Sequence, residues 1–291
     1  MMRRVARWAA IVAAFGGIVC IVAGCDATTS QPAVQSSTSG IRASGPPFQR
    51  RTTRPGCTER GTGATCYVLF IGNSYTYVND LPAMFTKLAR AGQALVEAAK
   101  VAEADETLAE HVASPETATA LAAERWDVVV LQEQSQIPSV ERYRQTEMYP
   151  AARQLVRMVR DVGAQPVFYL TPARRYGWPE SGLDGYASMQ SAVDEGYLVI
   201  AREVDVAVAP VGYAWADVLD HGAGSGLWQR DGSHPTVEGT YLAACVFYAT
   251  IFRKSPEGLK YYAGLPTNEA KKLQAIASDI VLADPGRWGL H

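Results

Sequence analysis

The chain has 291 residues, of which 48% are hydrophobic and 19% charged, with a formal net charge of −2. It is long enough for one sizeable domain plus accessory segments, and too apolar throughout most of its length to be disordered. From Cys57 to His291 there are 20 basic and 28 acidic residues, a net charge of −8, which repels phosphate and argues against nucleic acid as a partner.

In chain order, Arg3, Arg4 and Arg7 precede an apolar run from Trp8 to Gly24, the pattern of an export signal. Val22-Ala23-Gly24-Cys25 resembles the lipobox of bacterial lipoproteins, which implies cleavage after residue 24 and a lipid on Cys25. The expected location is then the outer face of a bacterial cell membrane, with plain secretion as the alternative. Residues 25–56 are Ser-, Thr-, Gln-, Pro- and Gly-rich and read as a disordered tether. Its Arg42, Arg50, Arg51 and Arg54 suit an anionic membrane surface. In the exported domain, 57–291, Cys57 and Cys66 flank a Gly-rich segment and are a candidate disulfide, while Cys245 lies in an apolar helical pattern and reads as buried. No cysteine pair has zinc spacing beside histidines, so no metal is expected.

Tyr67 to Ile71 is an apolar, β-rich run that ends at Gly72-Asn73-Ser74, a buried strand opening into a loop. Leu81 to Ala91 reads as a helix closed by Gly92, Ala94 to Val101 as a second strand, and Pro115 to Ala123 as a short helix. Trp126 to Leu131 is a buried strand leading into Gln132-Glu133-Gln134-Ser135-Gln136. Pro150 opens a helix with Ala152, Leu155, Val156 and Val159 on one face, stopped by Gly163. Pro166 to Leu170 follows as a strand, then a long loop, 171–185, a helix from Tyr186 to Arg202, and a last strand, Val206 to Pro210. A short helix from Trp215 to Leu219, a Gly-rich loop, a helix from Pro235 to about Phe252 and a terminal helix around Leu273 and Ile280 complete the chain. Strands alternating with helices predict an α/β fold with a parallel sheet of about five strands covered on both faces.

Ser74 stands where a strand meets a loop and is the candidate nucleophile, with a helix-capping serine as the structural alternative. A serine needs a base, and histidine has the suitable pKa. Of four histidines, His291 is terminal. His221 has Asp217 and Asp220 beside it, and His111 reads as a surface histidine at a helix end. His234 lies in Asp231-Gly232-Ser233-His234-Pro235. Asp231, three residues earlier, is placed to accept the other ring proton and orient the imidazole. Pro235 is expected at the first position of the following helix.

Gly72-Asn73-Ser74 after an early strand, with Asp231-Gly232-Ser233-His234-Pro235-Thr236-Val237-Glu238-Gly239 near the end, resembles the SGNH (GDSL-type) hydrolase superfamily, in its Gly-Asn-Ser subgroup. The resemblance spans nearly all of 68–252. It implies a three-layer flavodoxin-like fold and a serine esterase with Ser74, His234 and Asp231 as catalytic residues and no cofactor. It also implies an oxyanion hole made by the Ser74 N–H, a glycine N–H after the second strand and an Asn side chain after the third. Here no glycine occurs in 101–108, and Ala104 or Asp105 takes its place. Gln134, or Gln132, stands where Asn is usual, and Asn73 stands where the nucleophile motif usually has Asp. The expected substrate is a small ester, with an acetylated carbohydrate foremost, and the expected form is a monomer. Tyr176 and Trp178 are candidates for stacking on a sugar or acyl group, and Trp215 for the core. The alternative is a weak or inactive member of the fold that binds a glycan or protein partner at the cell surface.

Overall fold

A computed structural model describes residues 57–58, 63–221 and 226–290. The export signal, Cys25 and the tether fall outside the described residues, as do part of the Gly-rich loop before the Asp231 turn and His291. Among the described residues, no helix is long and apolar enough to cross a membrane.

The sheet strands and most helices follow the periodicity of the sequence, whereas a helix at 108–113 and a hairpin within 171–185 do not. β1 (Cys66–Gly72) leads into α1 (Ser74–Tyr77) and α2 (Leu81–Ala91), then β2 (Val96–Ala102), α3 (Leu108–Ala113), α4 (Pro115–Ala123) and β3 (Val128–Leu131). The short α5 (Glu141–Tyr143) runs through one π-helical turn into α6 (Tyr149–Asp161), followed by β4 (Gln165–Tyr169). The loop after β4 carries a small hairpin, β5 (Gly177–Trp178) and β6 (Leu183–Asp184), before α7 (Gly185–Val204) and β7 (Ala207–Ala209). α8 (Val211–Asp220), α9 (Val237–Phe252) and α10 (Thr267–Leu282) complete the domain. Pro235 is not the first helical residue. Thr236 caps α9 by accepting from Gly239 N–H, and Pro235 is drawn instead into a bridge with Trp228.

The sheet is five-stranded and parallel, in the order β2-β1-β3-β4-β7. The chain goes from β1 to β2 on one side and then returns to place β3 on the other. A ligand crevice is expected at such a reversal, outside the carboxyl ends of β1 and β3. Side-chain alternation divides β1 between two cores. Val68 and Phe70 face a layer of α2, α8, α9 and α10, and Leu69 and Ile71 face α3, α6 and α7. Phe70 meets Phe85 and Phe247 edge to face at 5.9 and 5.3 Å. Trp215 and Cys245 lie in the first core, fully buried.

Cys57 and Cys66 form a disulfide that ties the entry segment to the start of β1, with Cα atoms 5.4 Å apart. Their sulfurs and an Asp127 oxygen lie within 4.8 Å of one another, but a disulfide offers no thiolate for a metal. The bridge closes a loop of nine residues' separation, which by chain entropy corresponds to roughly 2–3 kcal/mol. Replacing both cysteines by Ala should lower the thermal midpoint by about 5–10 °C. An unchanged midpoint by calorimetry would mean that the entry segment is held by other contacts.

Candidate active site

β1 delivers Gly72 to the sheet edge, and Asn73 turns the chain into α1. The Asn73 Oδ1 accepts from Tyr75 N–H at 3.3 Å. Asn73 is therefore the helix cap and Ser74 the first helical residue, so the Ser74 hydroxyl is not spent on capping. Ser74 is 6% exposed.

The Ser74 loop is held from three directions. Parallel pairing of Ile71 with Leu131 sets Gln132 beside Gly72, with Gln132 N–H donating to Ile71 O at 2.9 Å. The fully buried Gln132 amide then accepts from Asn73 N–H (2.9 Å) and Thr76 Oγ1 (3.0 Å), and donates to Asn73 Oδ1 (2.8 Å) and Glu133 O (2.7 Å). Asn73 Nδ2 reaches the loop after β2, donating to Glu106 O at 2.9 Å. Beneath, His111 Nε2 lies 2.8 Å from Gly72 O and Nδ1 lies 2.8 Å from Thr117 Oγ1. Since a carbonyl only accepts, His111 carries its proton on Nε2 toward Gly72. His111 is thus fully buried rather than a surface residue. The 3.6-residue period of α3 does not reveal a carbonyl 39 residues away.

Asp231 and His234 are joined in one tight turn. Asp231 Oδ1 accepts from Ser233 N–H (2.9 Å) and His234 N–H (3.0 Å), and Oδ2 lies 2.6 Å from His234 Nδ1. Gly232 turns the chain at φ +71°, a conformation glycine adopts without a Cβ penalty. Burial works against ionisation of Asp231, but the bonds from the His234 ring and the two N–H groups outweigh it and hold the carboxyl below its usual range. With Nδ1–H given to Asp231, Nε2 is left as the basic nitrogen. The turn is fastened to the Ser74 loop through Tyr75. Its buried hydroxyl lies 3.1 Å from Ser233 Oγ, and its ring meets that of His234 edge-on at 6.2 Å.

Ser74, His234 and Asp231 line one cavity of about 170 Å3, together with Asn73, Asp105 and Gln134. Asp105 sits at φ +59°, a left-handed conformation that Asp tolerates better than most residues with a Cβ. The tight turn thus survives without glycine, and the Asp105 N–H has no hydrogen-bond partner among the described residues. Gln134 Oε1 accepts from Gln136 N–H at 2.7 Å, while Nε2 has only a 3.5 Å approach to Gln136 Oε1, leaving its donor capacity almost free. Gln132, the other possible Asn substitute, is fully occupied in holding the Ser74 loop and has no donor to spare. His221 lies outside the cavity, its side chain 72% exposed, with Nδ1 2.8 Å from Asp217 O. Trp178 stacks on Tyr143, and the exposed Tyr176 ring packs beside Gly232.

Glu133 is fully buried beside this site. Oε1 accepts from Leu108 N–H (3.1 Å) and Gln134 N–H (2.7 Å), and Oε2 has no partner. Burial raises its pKa from 4.5 to about 7, and the two backbone donors only partly offset this. Between those values the folded protein holds more protons than the unfolded one, so this group makes stability fall as pH rises from about 4.5 through 7. The full effect is on the order of 3 kcal/mol. Glu133→Gln should gain stability over the parent increasingly toward pH 8 in denaturant titrations. A difference that does not vary with pH would contradict the raised carboxyl.

Fold and site together define a flavodoxin-like α/β protein with a serine and an Asp–His pair at the carboxyl edge of its sheet. No family model matches the sequence, and no curated protein sequence matches it. Among solved structures, a Slackia heliotrinireducens protein provisionally described as an SGNH hydrolase is 30% identical, with 63% of this chain and 97% of that one covered at a TM-score of 0.53. The chain belongs to the SGNH hydrolase superfamily. A DUF4886 family protein from Bacteroides uniformis shares the fold at 19% identity, covering 76% of this chain and 96% of its own, with a TM-score of 0.65. A lipase/acylhydrolase from Enterococcus faecalis shares it at 13% identity, 65% and 96% coverage, and a TM-score of 0.53.

Proposed function

We propose that the domain is a serine esterase that removes a small acyl group from an alcohol, with an acetylated carbohydrate as the foremost substrate class. The observation that carries this reading is that Ser74 and the Asp231-bound His234 line one cavity of about 170 Å3, smaller than usual ligand pockets and suited to a short acyl chain. His234 Nε2 takes the Ser74 proton as Oγ attacks the ester carbonyl. Asp231 holds the ring and stabilises the imidazolium. The Ser74 N–H, the Asp105 N–H and Gln134 Nε2 receive the negative charge of the tetrahedral intermediate. Collapse expels the alcohol, protonated by His234, and leaves an acyl-serine. Water, deprotonated by the same imidazole, then releases the acid and restores Ser74. On this reading the protein is exported and held at the membrane by a lipid on Cys25, with the enzyme domain at the end of the tether.

The test is turnover of aryl acetate, butyrate and hexanoate by the mature protein and its Ser74→Ala variant, alongside labelling by a fluorophosphonate. Hydrolysis confined to short chains, lost with labelling in Ser74→Ala, is the expected result. Absence of both turnover and labelling in the parent would point instead to a surface protein that uses this cavity for binding.

A further inference from the structure

We propose that Arg174 makes this site selective for anionic esters, recognising a carboxylate or phosphate carried close to the scissile bond. The inference rests on the hydrolase reading of the Ser74 cavity and names the substrate class within it. Arg174 lies in the loop after β4, half-buried, and lines the same cavity as Ser74 and His234. Its Nε donates to the buried Ser135 Oγ at 3.2 Å. Among the described residues its two terminal nitrogens have no hydrogen-bond partner, and no carboxylate lies within 4.0 Å of it.

A guanidinium in a pocket is not neutral furniture. It cannot lose its proton, its fork matches two oxygens of one anion, and partial burial strengthens its field. Arginines elsewhere in this domain show the usual structural use: Arg144 pairs with Glu195, and Arg153 with Glu203. The two acids that share the cavity do not serve Arg174 in that way. Asp231 is occupied by the His234 ring and its own turn, and Asp105 is solvent-exposed.

The position is also fixed. Ser135, which holds Nε, lines the same cavity wall as Tyr75, and Tyr75 adjoins both Ser74 and the Ser233 side of the His234 turn. On the other side, Arg175 N–H donates to Gly232 O at 2.7 Å, tying the Arg174 loop to the base-bearing turn. The free end of the guanidinium is thus anchored relative to nucleophile and base. A fixed charge of this kind favours a substrate that brings the complementary anion to a set distance from its ester. In a domain of net charge −8, anions are otherwise repelled.

The test uses the mature protein and four aryl acetates: phenyl acetate, methyl 3-acetoxybenzoate, 3-acetoxybenzoate and 3-acetoxyphenyl phosphate. The expected result is a kcat/KM at least tenfold higher for 3-acetoxybenzoate or the phosphate than for the methyl ester, expressed mainly in KM. Arg174→Gln should abolish this ratio and Arg174→Lys restore part of it. Which of the two charged esters leads decides between carboxylate and phosphate. Equal kcat/KM for charged and neutral esters, or a ratio that survives Arg174→Gln, would overturn the proposal. So would a fall in kcat shared equally by charged and neutral esters, which would mark Arg174 as an oxyanion donor. If no ester is turned over, the hydrolase reading fails by itself. Calorimetric titration with 3-acetamidobenzoate and its neutral amide then decides the role of Arg174. Tenfold tighter binding of the carboxylate, lost in Arg174→Gln, supports it, and equal binding overturns it.

Discussion

His234→Ala is expected to lower ester turnover by about 10^4-fold or more, and Asp231→Asn by roughly 10^3 to 10^4-fold. The two losses differ in origin. Without the imidazole, nothing beside Ser74 accepts its proton. With Asn at 231, the amide nitrogen can face Nδ1 and favour the wrong tautomer, turning the protonated nitrogen toward Ser74. Because Asp231 also accepts two backbone N–H groups, Asn keeps an oxygen for the turn and the fold should survive. Combining either change with Ser74→Ala should cost little more than Ser74→Ala alone, since the three act as a unit. Steady-state kinetics on an aryl acetate measures all of these. Additive losses, each independent of the others, would mean that His234 and Ser74 do not work in one step.

Gln132→Ala should have the largest effect on stability of any residue outside the apolar core, about 3–5 kcal/mol, with turnover down by about 100-fold. Truncation strands the Asn73 N–H and the Thr76 hydroxyl, and leaves Asn73 Oδ1 only its 3.3 Å bond from Tyr75 N–H, in a site from which water is excluded. Each orphaned group costs about 1–3 kcal/mol. A misplaced Ser74 loop costs rate as well, because displacement by about 1 Å is enough to lose two orders of magnitude. Gly72→Ala attacks the same clamp from the other side: a Cβ there would collide with Gln132 Oε1 and lie 2.6 Å from Thr76 Oγ1. Urea midpoints and kcat are the measurements. A Gln132→Ala protein with the parental midpoint would show that the bonds from Asn73 to Glu106 and from His111 to Gly72 suffice to hold the loop.

What the sequence made legible is local. Asp231 and His234 lie three residues apart in a Gly-containing turn, so their pairing is dictated by neighbours and could be read directly. The strands and the helices Leu81–Ala91 and Pro115–Ala123 follow from apolar periodicity and from Pro and Gly at their ends. The clamp behind Ser74 was not legible. Gln132 and His111 meet the loop across 59 and 39 residues; strand register brings the first there and the packing of α3 against β1 the second. Gln132 therefore reads as a possible oxyanion donor and His111 as a surface residue, although both are buried supports. Asp105 lies between these cases. The lost glycine is plain in the sequence, but that an aspartate holds the left-handed turn is known only from its φ of +59°. Arg174 gives no signal by type or spacing, because an arginine in a polar loop is ordinary until its partners are known.

The helix that follows the His234 turn has a consequence for the order of folding. Every residue of α9 from Gly239 to Phe252 is buried, so this helix has no face fit for water, and one of its principal covers is α10. As a chain emerges from its amino end, α9 has only part of its shelter until residues up to about 282 follow. The turn that carries Asp231 and His234 opens directly into α9, so the layer that covers the helix behind it is completed only when the last helix docks.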